Sequence, residues 1–251
     1  MIEAPRYPAP TWRVAQGDCL DVMRGMPDAC VDAVVTDPPY GTTQNKWDTP
    51  FDLPLWWAQI ERVAKRNAPI VVFAQTPFDK VLGASRIGLL RYEWIWRKNL
   101  GTGHLNAKKA PLKNHENILV FYRSPPSYSP QKRRATGKSS GTRSKGPRNN
   151  ASTNYGLQKQ CPAWENTGMR YPLSVLDFAH DRPSVHPTQK PVALVSYLLR
   201  TYCLPGATVL DPFTGSGTTG VAAVQEGFRF VGIEREPQYV EIARTRIASA
   251  S

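Results

Sequence analysis

The chain has 251 residues, 41% of them hydrophobic, enough for one domain with a full core or one domain carrying an insertion. No apolar run reaches the length of a membrane span, the N-terminus has no apolar signal core, and the four cysteines (Cys19, Cys30, Cys161, Cys203) are scattered without a CxxC pair, which argues against a membrane protein, a disulfide framework and a structural zinc site. The formal net charge is +12, but nine Lys and Arg fall between Arg123 and Gln160 with no acid among them, leaving 23 basic against 20 acidic residues elsewhere. The expectation is a soluble, cytoplasmic protein with reduced thiols and a basic block that faces a polyanion. A solvated loop is the alternative for that block, and the two are compatible.

Trp12 to Gln16 reads as a strand closing at Gly17, followed by a short helix from Leu20 towards Met26 with Asp18 as its N-cap. Val31 to Thr36 is a valine-rich buried strand that stops at Asp37–Pro38–Pro39–Tyr40–Gly41. Proline fixes its own φ and restricts the residue before it, so Asp37 and Pro38 are held extended. A carboxylate, a prolyl carbonyl and an aromatic ring are thereby set side by side at a strand's carboxyl end, where ligands bind in open α/β sheets. Two acceptors beside a π-face suit a planar ring with an exocyclic amino group. Taken alone, the same string also fits a Pro-rich turn with Tyr40 as core filler.

Residues 42–50 form a polar loop containing Lys46 and Trp47. Leu53 to Arg66 has helical spacing, 69–74 is a buried strand, and Phe78 to Ile87 a helix. Strands are predicted at 91–97 and 117–122, joined by a polar, basic stretch that includes Lys108 and Lys109. From Arg123 to about Arg182 the composition turns to Pro, Ser, Gly, Asn and basic residues, among them Lys132, Arg133, Arg134, Arg143, Lys145 and Arg148, a long irregular segment of the kind that is functional or disordered. His186–Pro187–Thr188–Gln189–Lys190–Pro191 then opens a helix, with Thr188 as N-cap and Pro191 in the first turn.

Ala207 to Leu210 is a short strand leading into Asp211–Pro212–Phe213–Thr214–Gly215–Ser216–Gly217–Thr218–Thr219–Gly220 and an amphipathic helix. Glycines let a backbone approach a ligand closely, and the first N–H groups of a helix attract a carboxylate or phosphate. The next strand, 228–233, ends in Glu234, placed to accept hydrogen bonds from ribose hydroxyls. Seven strands are counted in all, and too few residues follow Gly220 to complete a sheet downstream, so upstream strands must complete it in a permuted order.

DPPY, DPFxGSGTT, the acid after the next strand, and the strings HENILVFYR and HPTQKP together resemble the amino-methylating DNA methyltransferases. The order, catalytic motif first and cofactor motif last, is similar to the β group of that family, and the likeness runs from about Trp12 to Ala248. The resemblance implies a Rossmann-like α/β fold with a seven-stranded mixed sheet. It implies a core split into a catalytic half (1–122) and a cofactor half (183–251) around a target-recognition insertion (123–182). The implied cofactor is S-adenosylmethionine, held by Asp18, Asp211, Phe213, Gly215, Ser216, Gly217, Thr218 and Glu234, with His186, Thr188 and Lys190 flanking its methionine end. The implied partner is double-stranded DNA, met by Lys46, Trp47, Lys108, Lys109 and the basic residues of the insertion, with a homodimer, no metal and no membrane. A bacterial or phage-encoded, nucleoid-associated enzyme, with or without a restriction partner, is the setting this suggests.

The chemistry needs Asp37, Pro38, Pro39 and Tyr40. An adenine N6 is a poor nucleophile because its lone pair is delocalised, and two acceptors on its hydrogens favour a pyramidal nitrogen that frees the pair. Orientation of the methyl donor supplies much of the rate, and Asp37 offsets the charge that develops on nitrogen. The reactive atom is inaccessible in a duplex, so the base must be flipped out, with Tyr40 to stack on it. Adenine is preferred to cytosine N4 because the family's N4 enzymes more often carry Ser where Asp37 stands. A catalytically silent DNA binder is the alternative of another class. An NAD enzyme fits poorly, since Asp-Pro-Phe-Thr separates the strand from the glycines.

Overall fold

The structure, a computed structural model, describes residues 11–41, 48–135, 151–152, 156–157, 167–181 and 189–251. In chain order its larger elements are β1 (Trp12–Gln16), α1 (Cys19–Arg24), β2 (Ala33–Thr36), α2 (Leu53–Val63), β3 (Ile70–Ala74), α3 (Phe78–Ser85), β4 (Leu90–Thr102) and β5 (Lys113–Phe121). After four two-residue strands, β6 (Arg133–Arg134), β7 (Ala151–Ser152), β8 (Gly156–Leu157) and β9 (Met169–Arg170), come β10 (Val175–Asp177), α4 (Val192–Tyr202), β11 (Thr208–Asp211), α5 (Thr218–Gln225), β12 (Arg229–Glu234) and α6 (Pro237–Ala248).

One eight-stranded sheet has the order β1-β12-β11-β2-β3-β5-β4-β10, with β5 antiparallel to both of its neighbours and the other pairings parallel. Helices cover both faces, and the strands serve both at once. In β3, Val71 and Phe73 join a cluster with α4, α5 and α6, while Ile70, Val72 and Ala74 join one with α1, α2 and α3. A strand buried on two sides reads as an unbroken apolar run, which is why 69–74 is legible as a strand in the sequence.

The chain order is permuted as the motif order requires. β1 lies at one edge beside β12, the last strand of the chain, and β2 lies between β11 and β3. From β2 the chain moves to β3 on one side, and from β11 it moves to β12 on the other. The carboxyl ends of β2 and β11 therefore flank the point where connections diverge, the place where α/β sheets open a ligand crevice.

Several sequence expectations need correction. The sheet has eight strands rather than seven: β10, three residues in a Pro- and Ser-rich stretch, is too short to show an alternation, and it pairs with β4 through backbone and through Arg97–Asp177 contacts of 2.6 and 2.9 Å. α2 ends at Val63, because Ala64 turns extended and bridges Val31, which also leaves Val31 outside β2. The helix expected from Thr188 starts at Val192 with Pro191 at its N-cap, and its first N–H donates to Asp181 Oδ2 at 2.9 Å. Thr188 itself lies outside the described residues.

The chain divides into two compact units, Met1–Ser129 with Ser174–Ser251, and Pro130–Leu173. In the second, β6 pairs with β9 and β7 with β8, and the Lys132 ammonium lies 4.8 Å over the Tyr171 ring. Among the described residues no helix is long and apolar enough to cross a membrane.

Gly217 shows how tightly α6 closes on the helix that follows the glycine loop. It has φ +85°, and a Cβ there would lie 2.8 Å from the Ala243 Cα. Backbone of α6 cannot yield as a side chain would, so Gly217→Ala should cost about 1–3 kcal/mol of stability, read as a lower urea midpoint. An unchanged midpoint would contradict this packing.

Candidate active site

A cavity of about 310 Å³ opens at the divergence of β2 and β11, and the two sequence motifs meet in it. Asp37, Pro38, Pro39 and Tyr40 line it from β2, and Asp211, Phe213, Gly215, Ser216 and Thr218 from β11 and the loop after it. Asp18 and Glu234 add to the lining from the ends of β1 and β12.

The glycine loop is held by its own neighbours. Thr214 N–H donates to Ile233 C=O at 2.9 Å, and Thr214 Oγ1 donates to Asp211 C=O at 2.9 Å. Glu234 takes the N–H of Gly215 on one carboxylate oxygen and that of Glu236 on the other, both at 2.8 Å. Each oxygen keeps a lone pair for a further donor. Gly215 has φ +52°, and a Cβ at that position would meet nothing within 4 Å, so the loop leaves open space at its tip. Gly217 is not part of the lining; its missing side chain serves α6. Beneath the loop, Arg246 donates to Ser216 C=O at 2.6 Å and to Ser216 Oγ at 2.9 Å.

Asp211 is 3% exposed and accepts from Thr36 Oγ1 at 2.7 Å and from Phe213 N–H at 3.1 Å. Burial pushes its pKa up to about 6, against the opposing hydrogen bonds. Its carboxyl joins the two motif strands and shapes the turn. Asp18 accepts from Leu20 N–H at 2.9 Å as the cap of α1, and Gly17 N–H beside it donates to Glu234 C=O at 2.9 Å. Cap and cavity wall are thus one residue.

The other half of the cavity is aromatic and charged. Tyr40 stacks on Phe78 with centroids 5.4 Å apart and planes 25° from parallel, and Phe51 sits 5.0 Å from Phe213. Asp37 accepts from the Tyr40 hydroxyl on Oδ1 and from the Lys190 ammonium on Oδ2. Lys190 is buried and lies 3.3 Å from Glu116 Oε2, while Glu116 Oε1 accepts from Lys98. Two carboxylates and two ammoniums therefore alternate along one chain of contacts.

Their protonation follows from that order. Burial alone would lower the Lys190 pKa, but Asp37 and Glu116 outweigh it and raise it. Burial would raise that of Glu116, but the Lys190 and Lys98 ammoniums hold it below the usual carboxylate range. For Asp37 burial wins over Lys190 and the Tyr40 hydroxyl, and its pKa is raised. Its side chain is 26% exposed towards the cavity, so water offsets part of that penalty and the ion pair with Lys190 persists. The Tyr40 hydroxyl is pushed well up by burial and by Asp37, which keeps it a donor.

The resemblance implies Lys190 at the methionine end of a cofactor; the structure places its ammonium between Asp37 and Glu116. The sequence alone assigns no role to Glu116, Lys98, Phe78 or Arg246. A signal for Glu116 is present in it: an acid opening the apolar run 118–121 enters a buried strand, where a charge needs a partner. Lys108 and Lys109 are exposed, as are Lys132, Arg133 and Arg134 in the second unit. Lys46, Trp47, Arg143, Lys145, Arg148, His186 and Thr188 lie outside the described residues. Among the described residues no group of three or more His, Cys, Asp or Glu is placed to hold a metal ion.

Comparison with known proteins gives concordant results. Residues 31–245 match the family model of the N6/N4-type DNA methylases. The putative methylase YubD of Escherichia coli K12 is 30% identical, covering 94% of this chain and 90% of its own. The DNA adenine methyltransferase YhdJ of the same strain is 27% identical, covering 99% of this chain and 87% of its own. Among solved structures, the complex of M1.HpyAVI with SAM superposes with a TM-score of 0.64 at 22% identity, covering 94% of this chain and 99% of that one.

Proposed function

The chain belongs to the DNA methylase family, and from its cavity we infer that it transfers methyl from S-adenosylmethionine to the N6 of an adenine in double-stranded DNA. The observation that carries this reading is the shared cavity: Asp37 and Tyr40 of the DPPY turn line the same space as the glycine loop and Glu234.

The residues fit the cofactor. Open space at Gly215, a Glu234 carboxylate fixed in place with lone pairs to spare, and Asp18 alongside make a cradle for a ribose and its base. When bound, the cofactor supplies an electrophilic methyl group on a sulfonium. The chain's own work lies at the other end. Tyr40, stacked on Phe78 and approached by the Lys190 ammonium 5.9 Å from its ring centroid, is the aromatic side chain proposed to stack on a base flipped out of the duplex. Asp37 and the Pro38 carbonyl accept the two amino hydrogens, and Asp37 stabilises the charge that develops on nitrogen and takes the proton that is released. Asp37 rather than Ser favours adenine, and a relative that carries the name adenine methyltransferase supports the choice. Cytosine N4 is the second reading, because the family includes both amino acceptors.

For the segment 123–182 the proposed role is target recognition. Lys132, Arg133 and Arg134 are exposed in a compact unit of their own, suited to phosphate contacts. The same resemblance implies a homodimer on a near-palindromic site and a place on the nucleoid.

Transfer of radiolabelled methyl to DNA should fall about a hundredfold or more in Asp37→Ala while calorimetry shows cofactor affinity near that of the parent. Near-normal turnover would remove Asp37 from the chemistry. Replacing Lys132, Arg133 and Arg134 together with Gln should flatten the salt dependence of DNA binding, by about 0.9 in log–log slope for each phosphate that these side chains neutralise. An unchanged slope would mean that they face only solvent.

A further inference from the structure

Both oxygens of Asp37 are engaged, Oδ1 by the Tyr40 hydroxyl and Oδ2 by the Lys190 ammonium. An ammonium at Oδ2 crowds the carboxylate that an amino hydrogen approaches, and its charge weakens the acceptor that the reaction needs. Each oxygen keeps a second lone pair, so what has to be relieved is the ammonium's pull on Oδ2 rather than a lack of acceptor sites. Tyr40 is poorly placed to move, since its ring is stacked on Phe78. Lys190 has a second acceptor at hand: Glu116 Oε2, buried and 3.3 Å from its Nζ, is already ion-paired with it but short of full hydrogen-bond geometry, while Oε1 of the same carboxylate is anchored by Lys98. Buried carboxylate oxygens are rarely left without a full hydrogen bond, and Glu116 is among the residues that line the cavity.

We propose that Lys190 is a two-position ammonium, paired with Asp37 in the arrangement seen here and moving onto Glu116 Oε2 when the amino group of the target base arrives at Asp37 Oδ2. Glu116 is then a positioning residue, acting on the reaction through Lys190, with Lys98 holding it in register. The inference rests on the methyltransferase reading. No bond changes at Glu116: Lys190 keeps its proton and exchanges one acceptor for another. The substrate nitrogen gains the methyl and loses one proton, which Asp37 takes and passes to solvent.

The pH dependence distinguishes this role from that of a structural counter-charge. The titratable and charged groups around the site are Tyr40 and Asp48 after β2, Lys98 on β4, Lys113 and Glu116 on β5, His180 after β10, Lys190 before α4, and Asp211 at the end of β11. Glu116 raises the Asp37 pKa and Lys190 lowers it. Glu116→Gln removes the like charge and leaves Lys190 on Asp37, so Asp37 ionises at lower pH yet stays a weakened acceptor. Lys190→Met removes the counter-ion, so Asp37 ionises at higher pH.

The test is single-turnover transfer from tritiated S-adenosylmethionine to unmodified bacterial chromosomal DNA made by amplification, followed from about pH 5 to pH 9. The expected result for Glu116→Gln is a plateau about tenfold or more below the parent, an acid limb moved to lower pH, and cofactor affinity by calorimetry within about twofold of the parent. In Lys190→Met the acid limb should move to higher pH. Glu116→Asp keeps the charge but withdraws the oxygen by one methylene, so its plateau should fall with the limb close to that of the parent. If Glu116→Gln does not fold, Glu116→Asp decides, and a plateau equal to the parent's would overturn the inference. So would a Glu116→Gln profile that matches the parent, or one whose plateau falls with an unmoved limb, as simple loss of packing would give. A parent that incorporates no label would overturn the methyltransferase reading itself, and with it the inference; a parent that does, beside a Glu116→Gln variant equal to it, would overturn the inference alone.

Discussion

Thr36 donates its hydroxyl to Asp211 across 2.7 Å in the buried interior, joining residues 175 apart in sequence. That bond ties the last residue of β2 to the last residue of β11, and everything functional follows from the adjacency. The DPPY turn leaves one strand and the glycine loop leaves the other, so two motifs at opposite ends of the chain share one cavity. Asp32 makes a second tie at the far ends of the same strands, accepting from the Thr208 N–H at 2.9 Å, while its own N–H donates to Thr208 C=O at 2.8 Å. The pairing register of β2 with β11 is therefore pinned by side chains at both ends. A slip would turn every side chain of a strand to the other face and would part the motifs.

Burial of charge is the second constraint. A carboxylate and an ammonium cost several kcal/mol each to take out of water, and they persist inside only when paired and hydrogen-bonded. The alternation Asp37, Lys190, Glu116, Lys98 meets that condition with no net charge, and it draws on four separate pieces of the chain. Such an arrangement is weak as a source of stability. Its value lies in holding an ionised carboxylate at a fixed place in an aromatic-walled pocket, where a hydrophobic substitute would pack as well and do no chemistry.

Much of this is legible in the amino-acid order, and the illegible parts have a common cause. Short apolar runs ending in Asp-Pro mark β2 and β11, because buried parallel strands advertise themselves by near-continuous apolar residues. The permutation announced by the motif order is seen in the sheet, where β2 lies between β11 and β3. β10 escapes, since three residues carry no period, and so does the end of α2, which is set by the Val31–Ala64 bridge rather than by local preference. At the site, short side chains fixed by their own backbone, Asp18, Asp37 and Asp211, stand where the motifs put them. Where a long lysine or arginine terminates depends on tertiary packing, so the order of residues does not show that Lys190, in the same cavity, pairs with Asp37, or that Arg246 reaches back from α6 to the Ser216 carbonyl. Glu116 is announced only by the incongruity of an acid entering a buried strand.

Methyl transfer to an exocyclic amino nitrogen of DNA, adenine N6 before cytosine N4, is the function proposed for this cavity. Its most direct test is to incubate unmodified DNA with the protein and S-adenosylmethionine and to map modified bases by sequencing that distinguishes them. The expected result is N6-methyladenine confined to one recurring sequence. N4-methylcytosine would contradict the choice of base while leaving the amino chemistry in place, and DNA with no modified base, or with methyl on the cytosine C5 carbon, would contradict the account as a whole.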